Sequence, residues 1–308
     1  MVYLSNKNIN VKIMKLLVNI PFYDRVRFVD GWDGWYGLDK LDGTAKEDKK
    51  TTFMNDKIYK YSWNRRSYVY NKLWDFLLEV NEYPMFSSIH IRIDTNNDKN
   101  KLFTFDKLTL KKHVHMNVIY HSISNPFLLT WIHRKYITSN IDKYDWIMYL
   151  EDDIFIPRSS VIEYMKWSEL LYRNMKKILH FVRVVQDSKQ KIYFGDLRRK
   201  SNKNVLFQVN QSYFGSMTYS YSATWLYPRI IMKDFMKHHT WSTPYNKNDI
   251  RASAAFGFLK HPLCMKNCLV TKYPCNNINV FHVLASGNWY HNSHTTRLPF
   301  NNGTGWIQ

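Results

Sequence analysis

Apolar residues recur along the chain with two different spacings, and the two spacings alternate. Apolar runs, or strict apolar and polar alternation, predict strands at residues 13–20, 89–93, 114–120 and 144–150. Apolar residues three and four positions apart predict amphipathic helices at residues 64–82, 125–139, 160–172, 229–239 and 250–260. Strands that alternate with helices in this order predict an α/β protein with a mainly parallel central sheet flanked by helices.

Residues with special backbone preferences predict where several of these elements begin and end. Pro21 is expected to end the first strand, and Asp94 to close the second. Asn125–Pro126 predicts a helix start, because asparagine caps a helix and proline suits its first turn. Ser160 and Glu163 have the spacing of a capping box and predict the start of the next helix.

Length and composition fit one domain. The chain has 308 residues, of which 45% are hydrophobic and 17% aromatic, and no change in composition marks a boundary. We therefore predict a single domain over residues 1–308. No stretch approaches about 18 uninterrupted apolar residues, and residues 1–10 are polar, so neither a transmembrane segment nor a signal peptide is expected. The expectation is a soluble, cytoplasmic chain.

The three cysteines lie close together, at Cys264, Cys268 and Cys275. Their odd number and short separation argue against a framework of disulfides. Together with His261 and His282 they offer enough donors for zinc, but the spacing matches none of the usual zinc patterns. Reduced thiols are the expectation, and a structural zinc is the alternative.

A formal net charge of +19 indicates an anionic partner, such as nucleic acid, an anionic membrane surface or a diphosphate substrate. Lysine and arginine are spread over the whole length, with short runs at residues 111–112, 176–177 and 198–200. No known nucleic-acid-binding motif accompanies them. We expect most of the charge to lie on a solvated surface and part of it to attract an anionic substrate, without specific recognition of nucleic acid.

Three consecutive acids, Glu151, Asp152 and Asp153, follow the strand predicted at residues 144–150. Carboxylates held this close repel one another, and none can be buried without a partner. A divalent cation bound through oxygen ligands removes both costs. The triplet therefore predicts a metal site, with a solvated acidic turn as the alternative.

The segment Tyr149–Pro157 resembles the motif, commonly called DxD, that binds metal and nucleotide sugar in glycosyltransferases with the GT-A fold. Asn125–Arg134 resembles the helix that precedes this motif in one group of them, which includes chlorovirus-type sugar transferases of large DNA viruses, xylosyltransferases among them. The likeness is specific over residues 115–160, weaker over 220–290 and faint before residue 85. It implies a GT-A-like domain with a nucleotide-sugar half at about 11–160. Residues from about 161 to 308 would form a donor-sugar and acceptor half ending in an acceptor-side extension, and a viral source would place the chain in the host cytoplasm.

The resemblance also implies roles for individual residues. Asp153 and Glu151 are expected to hold Mn²⁺ or Mg²⁺, with Glu151 acting through water because it replaces the family's first aspartate. His282, in a late apolar segment, is expected to return to the same metal, although a lone histidine there is equally typical of a core position. The residues expected to bind the nucleotide sugar are Pro21, Tyr23, Arg27, Asp94, Arg134, Glu151, Asp152, Ser222, Ala223 and Trp225. A strand-ending turn is the alternative for Asp94, and a core segment for Trp225.

Asp249 is the candidate catalytic base. It begins the helix predicted at residues 250–260, where inverting GT-A enzymes carry the acid that takes a proton from the acceptor hydroxyl. The family's usual Glu-Asp pair is missing here, because Asn248 precedes Asp249. A helix cap explains the same residue without catalysis.

The function implied is that of a metal-dependent glycosyltransferase in glycan synthesis. Its donor would be a nucleotide diphosphate sugar, UDP-linked, with UDP-xylose as one candidate, and its acceptor an oligosaccharide or the glycan of a glycoprotein. Transfer with inversion is the expectation. Two alternatives remain: a metal-dependent phosphoryl-transfer enzyme or nuclease, and a carbohydrate-binding protein without catalysis.

Overall fold

The computed structural model describes residues 14–22, 73–96, 108–123, 128–152, 154–186, 192–198, 206–216, 224–242, 269–273, 279–282 and 297–299. The strands are β1 (Met14–Phe22), β2 (Phe86–Thr95), β3 (Val114–Tyr120), β4 (Trp146–Leu150), β5 (Ile154–Phe155), β6 (Ile178–Leu179), β7 (Val182–Gln186), β8 (Ile192–Arg198), β9 (Leu206–Val209), β10 (Ser212–Ser216), β11 (Thr224–Pro228), β12 (Leu269–Tyr273), β13 (Asn279–His282) and β14 (Arg297–Pro299). The helices are α1 (residues 73–81), α2 (Leu129–Asn140), α3 (Arg158–Met175) and α4 (Arg229–Met236). The predicted Asn125–Pro126 cap, the helix at 250–260 and the three cysteines lie outside the described residues.

The central sheet has the strand order β11-β4-β1-β2-β3. Its strands β4, β1, β2 and β3 are parallel, and β11 pairs with β4 in the antiparallel direction. Two further sheets, ordered β6-β12-β10-β9 and β14-β8-β7-β13-β5, are built from residues after the fourth strand. The prediction of an α/β protein with a mainly parallel central sheet is confirmed.

Helices cover both faces of this sheet, as a buried parallel sheet requires. On one face, Leu16, Val18 and Ile20 of β1 belong to a core that includes buried residues of α1 and α3. On the other face, Leu17 and Tyr149 belong to a second core with buried residues of α2 and α4. Alternate residues of the same strands therefore contact different helices, and the sheet is fixed between two layers.

The prediction that Pro21 ends the first strand is wrong, because β1 continues to Phe22. Proline cannot donate to a sheet ladder, so its tolerance depends on which neighbours are paired at that point. Pairing of β1 with β4 ends at Asn19, whereas pairing with β2 continues through Pro21 to Phe22. The missing donor falls where β1 is paired on one side only.

The capping box predicted at Ser160 and Glu163 is also wrong. The helix α3 begins at Arg158 without a side-chain cap, and Ser160 lies buried inside its first turn. The side chain of Glu163 instead accepts a hydrogen bond from a tryptophan indole one turn later, at 2.8 Å. Glu79 of α1 accepts a hydrogen bond from the N–H of Arg158 at 2.6 Å, so a partner distant in sequence satisfies the start of the helix.

Two histidines are held as neutral rings in the core. His133 of α2 is buried, and its pKa lies well below the usual range because burial removes water from the ring, with the charges of Arg134 and Arg92 adding to the effect. Burial alone lowers the pKa of His180 to about 4. Both rings gain a proton more readily in the unfolded chain than in the folded one.

These depressed pKa values predict a loss of stability in acid. Above the unfolded pKa of about 6.5 the rings are neutral in both states and have no effect. Below it only the unfolded chain takes up the proton, so each ring should lower the free energy of unfolding by at most roughly 1.4 kcal/mol per pH unit. For His180 the loss should stop near pH 4, where the folded ring also becomes protonated. Urea titrations from pH 8 to 4 should show a shallower acid slope for His180→Asn than for the exposed control His115→Asn; equal slopes would contradict the assignment.

Candidate functional site

The strand order of the central sheet defines where a ligand-binding crevice is expected at the carboxyl edge. From β1 the chain passes to β2 and β3 on one side of the sheet, and then to β4 on the other side of β1. Ligands of open α/β sheets bind beyond the carboxyl ends of the strands where the order reverses in this way. The edge carries Pro21, which is paired with Asp94, and the residues that follow Leu150.

The acidic residues form a tight turn between β4 and β5 at this edge. The N–H of Ile154 donates to the carbonyl oxygen of Glu151 at 3.1 Å and closes the turn. The side chain of Asp152 is 4% exposed and that of Glu151 is partly exposed, whereas Asp153 lies outside the described residues. Carboxylates confined to one turn beside a buried strand are donors of the kind that Mn²⁺ and Mg²⁺ prefer.

Strand β13 brings a distant segment to this turn. It pairs with β5 so that His282 lies opposite Ile154 and Phe281 opposite Phe155. On its other side β13 runs parallel to β7, which fixes it within a sheet. The strand that carries the predicted ligand His282 is therefore hydrogen-bonded to the residue that directly follows Asp153.

No group of three or more histidine, cysteine or acidic side chains has the arrangement of a metal site within the part of the chain that the structure describes. That part excludes Asp153, and it gives the backbone but not the side chain of His282. The described backbone places His282 opposite Ile154. The coordination of a metal by Asp153, Glu151 and His282 stays a prediction.

Asp94 is buried at the end of β2, with 1% of its side chain exposed. Its carboxylate accepts hydrogen bonds from the Nη2 of Arg92 at 2.7 Å, from the Nε of Arg92 at 2.9 Å, and from the Nε2 of His121 at 2.7 Å. Arg92 lies in turn over the ring of Tyr136, 4.5 Å from its centroid. Both carboxylate oxygens are engaged within the protein, so His121, which is 20% exposed, reaches the edge better than Asp94 does.

The sequence does not single out Arg92 as a site residue, because Arg92 lies inside β2 and not at the end of a strand. It belongs to the polar positions that alternate with Ile89, Ile91 and Ile93, which are typical of a solvated face. Here α2 covers that face, and Arg92 is 14% exposed. The available signal is the separation of two residues between Arg92 and Asp94, which places both side chains on one face of a strand.

Two of the predicted nucleotide-sugar ligands lie in the core. Arg134 of α2 is 2% exposed, donates to the carbonyl oxygen of Trp241 at 2.8 Å, and lies 4.0 Å from the ring centroid of Trp131. Trp225 is 4% exposed and stacks on Tyr149, with ring centroids 5.6 Å apart. Both side chains therefore belong to the packed core: Arg134 links α2 to Trp241, and Trp225 packs β11 against Tyr149 of β4.

The remaining predicted ligands Tyr23, Arg27, Ser222 and Ala223, with the candidate base Asp249, lie outside the described residues. Described residues next to two of these positions lie at the edge. β1 ends at Phe22, directly before Tyr23, and β11 begins at Thr224, opposite Leu150. The hydroxyl of Thr224 donates to the carbonyl oxygen of Tyr149 at 2.9 Å, which anchors the start of β11 beside the end of β4.

No known family model matches the chain, and no curated protein is similar enough to count as a relative. Among the described helices, none has the length and hydrophobicity needed to cross a bilayer.

Proposed function

We propose that this chain is a metal-dependent glycosyltransferase of the GT-A kind, which transfers a sugar from a UDP-linked donor to a carbohydrate acceptor with inversion. The single observation that carries the proposal is the pairing of β13 with β5, which brings the segment ending in His282 to the acidic turn at residues 151–153. The turn also lies at the strand ends where the sheet order reverses. A metal-binding acidic motif at this position is what the resemblance implies.

Electrostatics supports a bound cation. Three adjacent carboxylates at the end of a fully buried strand repel one another unless a cation neutralises them. Mn²⁺ or Mg²⁺, when bound, would neutralise charge that grows on the departing diphosphate. In this proposal Asp153, Glu151 and His282 hold the metal, and Asp152 contacts the donor.

The neighbouring strand ends suit the nucleoside part of the donor. In the proposed arrangement Asp94 acts by orienting His121, because its own oxygens already accept hydrogen bonds from Arg92 and His121. Arg92 has only donors, so Asp94 must remain an acceptor and the Nε2 of His121 must carry a proton. This leaves the Nδ1 of His121 as the ring atom available to a ligand at the edge.

Asp249 completes the proposal as the base that takes the proton from the acceptor hydroxyl. Attack by the acceptor oxygen on the anomeric carbon, opposite the departing diphosphate, inverts the configuration at that carbon. Bond breaking ahead of bond making gives the transition state oxocarbenium character, as in glycoside hydrolysis. Holding donor and acceptor in line supplies a large part of the rate gain.

The proposal predicts that UDP or a UDP-sugar stabilises the chain only when Mn²⁺ or Mg²⁺ is present. Ligand at about 100 times its dissociation constant adds roughly 2.7 kcal/mol to the free energy of unfolding. Thermal unfolding should therefore move to higher temperature with UDP-xylose or UDP-glucose plus Mn²⁺, and return to its starting value with EDTA.

Two other results would each contradict the proposal in a different way. Stabilisation by free oligosaccharides without metal would favour a carbohydrate-binding protein. Tight, metal-dependent binding of duplex DNA or RNA at physiological salt, without any response to nucleotide sugars, would favour phosphoryl transfer or a nuclease. Weak binding of nucleic acid that disappears at that salt is expected from the net charge of +19 alone.

A further inference from the structure

The amino-terminal end of the central sheet carries a concentration of exposed lysines on the side opposite the acidic turn. Lys15 is the second residue of β1, Lys143 precedes β4, and Lys176 follows α3. Lys233 lies on α4 and Lys237 directly follows it; α4 starts at this end because β11 runs antiparallel to its neighbour. We call these five residues the lysine face.

Side-chain contacts connect the lysine face from α3 to α4. The hydroxyl of Tyr172 in α3 donates to Asp234 in α4. Lys176 lies 4.8 Å from the ring centroid of Tyr172, and Lys237 contacts Asp234 at 2.7 Å. The ends of two helices distant in sequence thus form one cationic surface.

The same surface continues from α4 to the first residues of β1. Lys233 contacts Asp142 at 2.5 Å, and Arg229 contacts Asp145 at 2.7 Å. The backbone N–H of Lys15 donates to Asp145 at 3.0 Å. The pKa of the nearby His90 is lowered first by burial, then by His115, and then by the positive charges of Lys15 and Lys143.

Positive charge remains in excess among the described residues of this surface. Each of its three carboxylates, Asp142, Asp145 and Asp234, already has a cationic partner. Lys15, Lys143 and Lys176 come in addition to those pairs. The surface therefore complements an anionic partner.

Two apolar side chains are exposed among the lysines. Ile230 of α4 is 36% exposed and Met175 at the end of α3 is 40% exposed. Ile230, Lys233 and Lys237 are three and seven positions apart, so they share the outward face of α4, while Ile231, Met232 and Phe235 are buried beneath it. An exposed apolar residue flanked by lysines is typical of a helix that lies on a lipid surface.

We infer that the lysine face binds the surface of a membrane that contains anionic lipids. Lipid is favoured over nucleic acid because arginine is the residue best suited to bind nucleic-acid phosphates, and the described arginines Arg229 and Arg173 already have partners within the protein. Arg229 is engaged by Asp145 and the carbonyl oxygen of Asp142, and Arg173, in the last turn of α3, by Glu169. Lysines near an anionic leaflet act together through charge and need no fixed geometry. Bound in this way, the chain presents the acidic turn at the opposite end of the sheet to the aqueous phase.

Sedimentation of the full chain with lipid vesicles tests this inference independently of any nucleotide. The chain should bind vesicles of phosphatidylcholine and phosphatidylserine, should release them as salt is raised, and should ignore phosphatidylcholine alone. Lys233→Ala combined with Lys237→Ala should weaken binding by roughly 30-fold, on the usual contribution of a lysine near an anionic surface. Ile230→Ser should weaken it at unchanged charge.

The matched control is Lys135→Ala combined with Lys166→Ala, which removes the same charge from exposed positions in the middle of α2 and α3. Circular dichroism would establish that every variant is folded. Equal loss of binding in the control would overturn the inference, because net charge and not the lysine face would then be responsible. Binding to duplex RNA or DNA that depends on Lys233 and Lys237, without binding to vesicles, would overturn it in favour of nucleic acid.

Discussion

Replacing Asp153 with alanine should abolish the metal-dependent part of UDP binding and leave the chain folded. Asp153 directly precedes Ile154, the residue that pairs with His282. Of the three acids, Asp153 is therefore the closest in sequence to the pairing between β5 and β13. Without it, Glu151 and His282 keep too few donors to hold Mn²⁺ against water. Isothermal titration of UDP in the presence of Mn²⁺ should show affinity reduced at least to the metal-free value.

Two comparisons make this result specific. Asp142→Ala removes an equally charged residue, 73% exposed, from the opposite end of the sheet, and it should leave UDP binding unchanged. His282→Ala should act like Asp153→Ala, and the double variant should be little worse than either one, because residues that share one metal are not additive. Normal Mn²⁺-dependent binding by a folded Asp153→Ala chain would remove the triplet from the metal site.

Asp249→Asn should reduce sugar transfer by roughly two or more orders of magnitude, the usual contribution of a general base. Asparagine caps a helix about as well as aspartate, so the substitution removes the base and retains the cap. Stability and UDP binding should therefore be preserved. Single-turnover measurement of transfer to acceptor, beside calorimetry of the donor, separates the two roles.

The same substitution tests the stereochemical course. A retaining enzyme needs no base for the acceptor, so near-normal transfer by folded Asp249→Asn enzyme would remove this residue from catalysis. Asn248→Ala is the neighbouring control, since it leaves the carboxylate in place. Strong loss in Asp249→Asn with little change in Asn248→Ala is the expected pair of results.

Local periodicity predicts the four parallel strands of the central sheet, but not its antiparallel strand β11. β3 has the predicted bounds, and α1, where described, lies inside the helix predicted at residues 64–82. Each of these elements can be predicted from the spacing of apolar residues within its own segment. The errors at Pro21 and at the capping box predicted at Ser160 depend on which distant residues pair with the segment: the pairing of β1 with β4 ends at Asn19, and Glu79 satisfies the start of α3.

The features of the candidate site also divide into those that the local sequence predicts and those that depend on distant contacts. The sequence predicts Asp94 at the end of a strand, and in the structure its side chain contacts that of His121, which follows β3, at 2.7 Å. The burial of Asp94 and its two hydrogen bonds from Arg92 could not be predicted, because they require knowing that α2 covers this face of β2. The pairing of β13 with the two-residue strand β5 is also invisible in a local pattern, since neither segment is long enough to specify a partner.

The pairing between β5 and β13 can form only late in the synthesis of the chain, after β13 has been made. A ribosome that has released residues up to 242 has supplied every strand of the central sheet, yet β13 has still to be made. Contacts between segments so distant in sequence form slowly, because closing a large loop costs entropy before the stabilising contacts can form. If the proposed site is the binding site, nucleotide-sugar binding should therefore appear only late in synthesis, and a nascent chain that ends at residue 242 should show none.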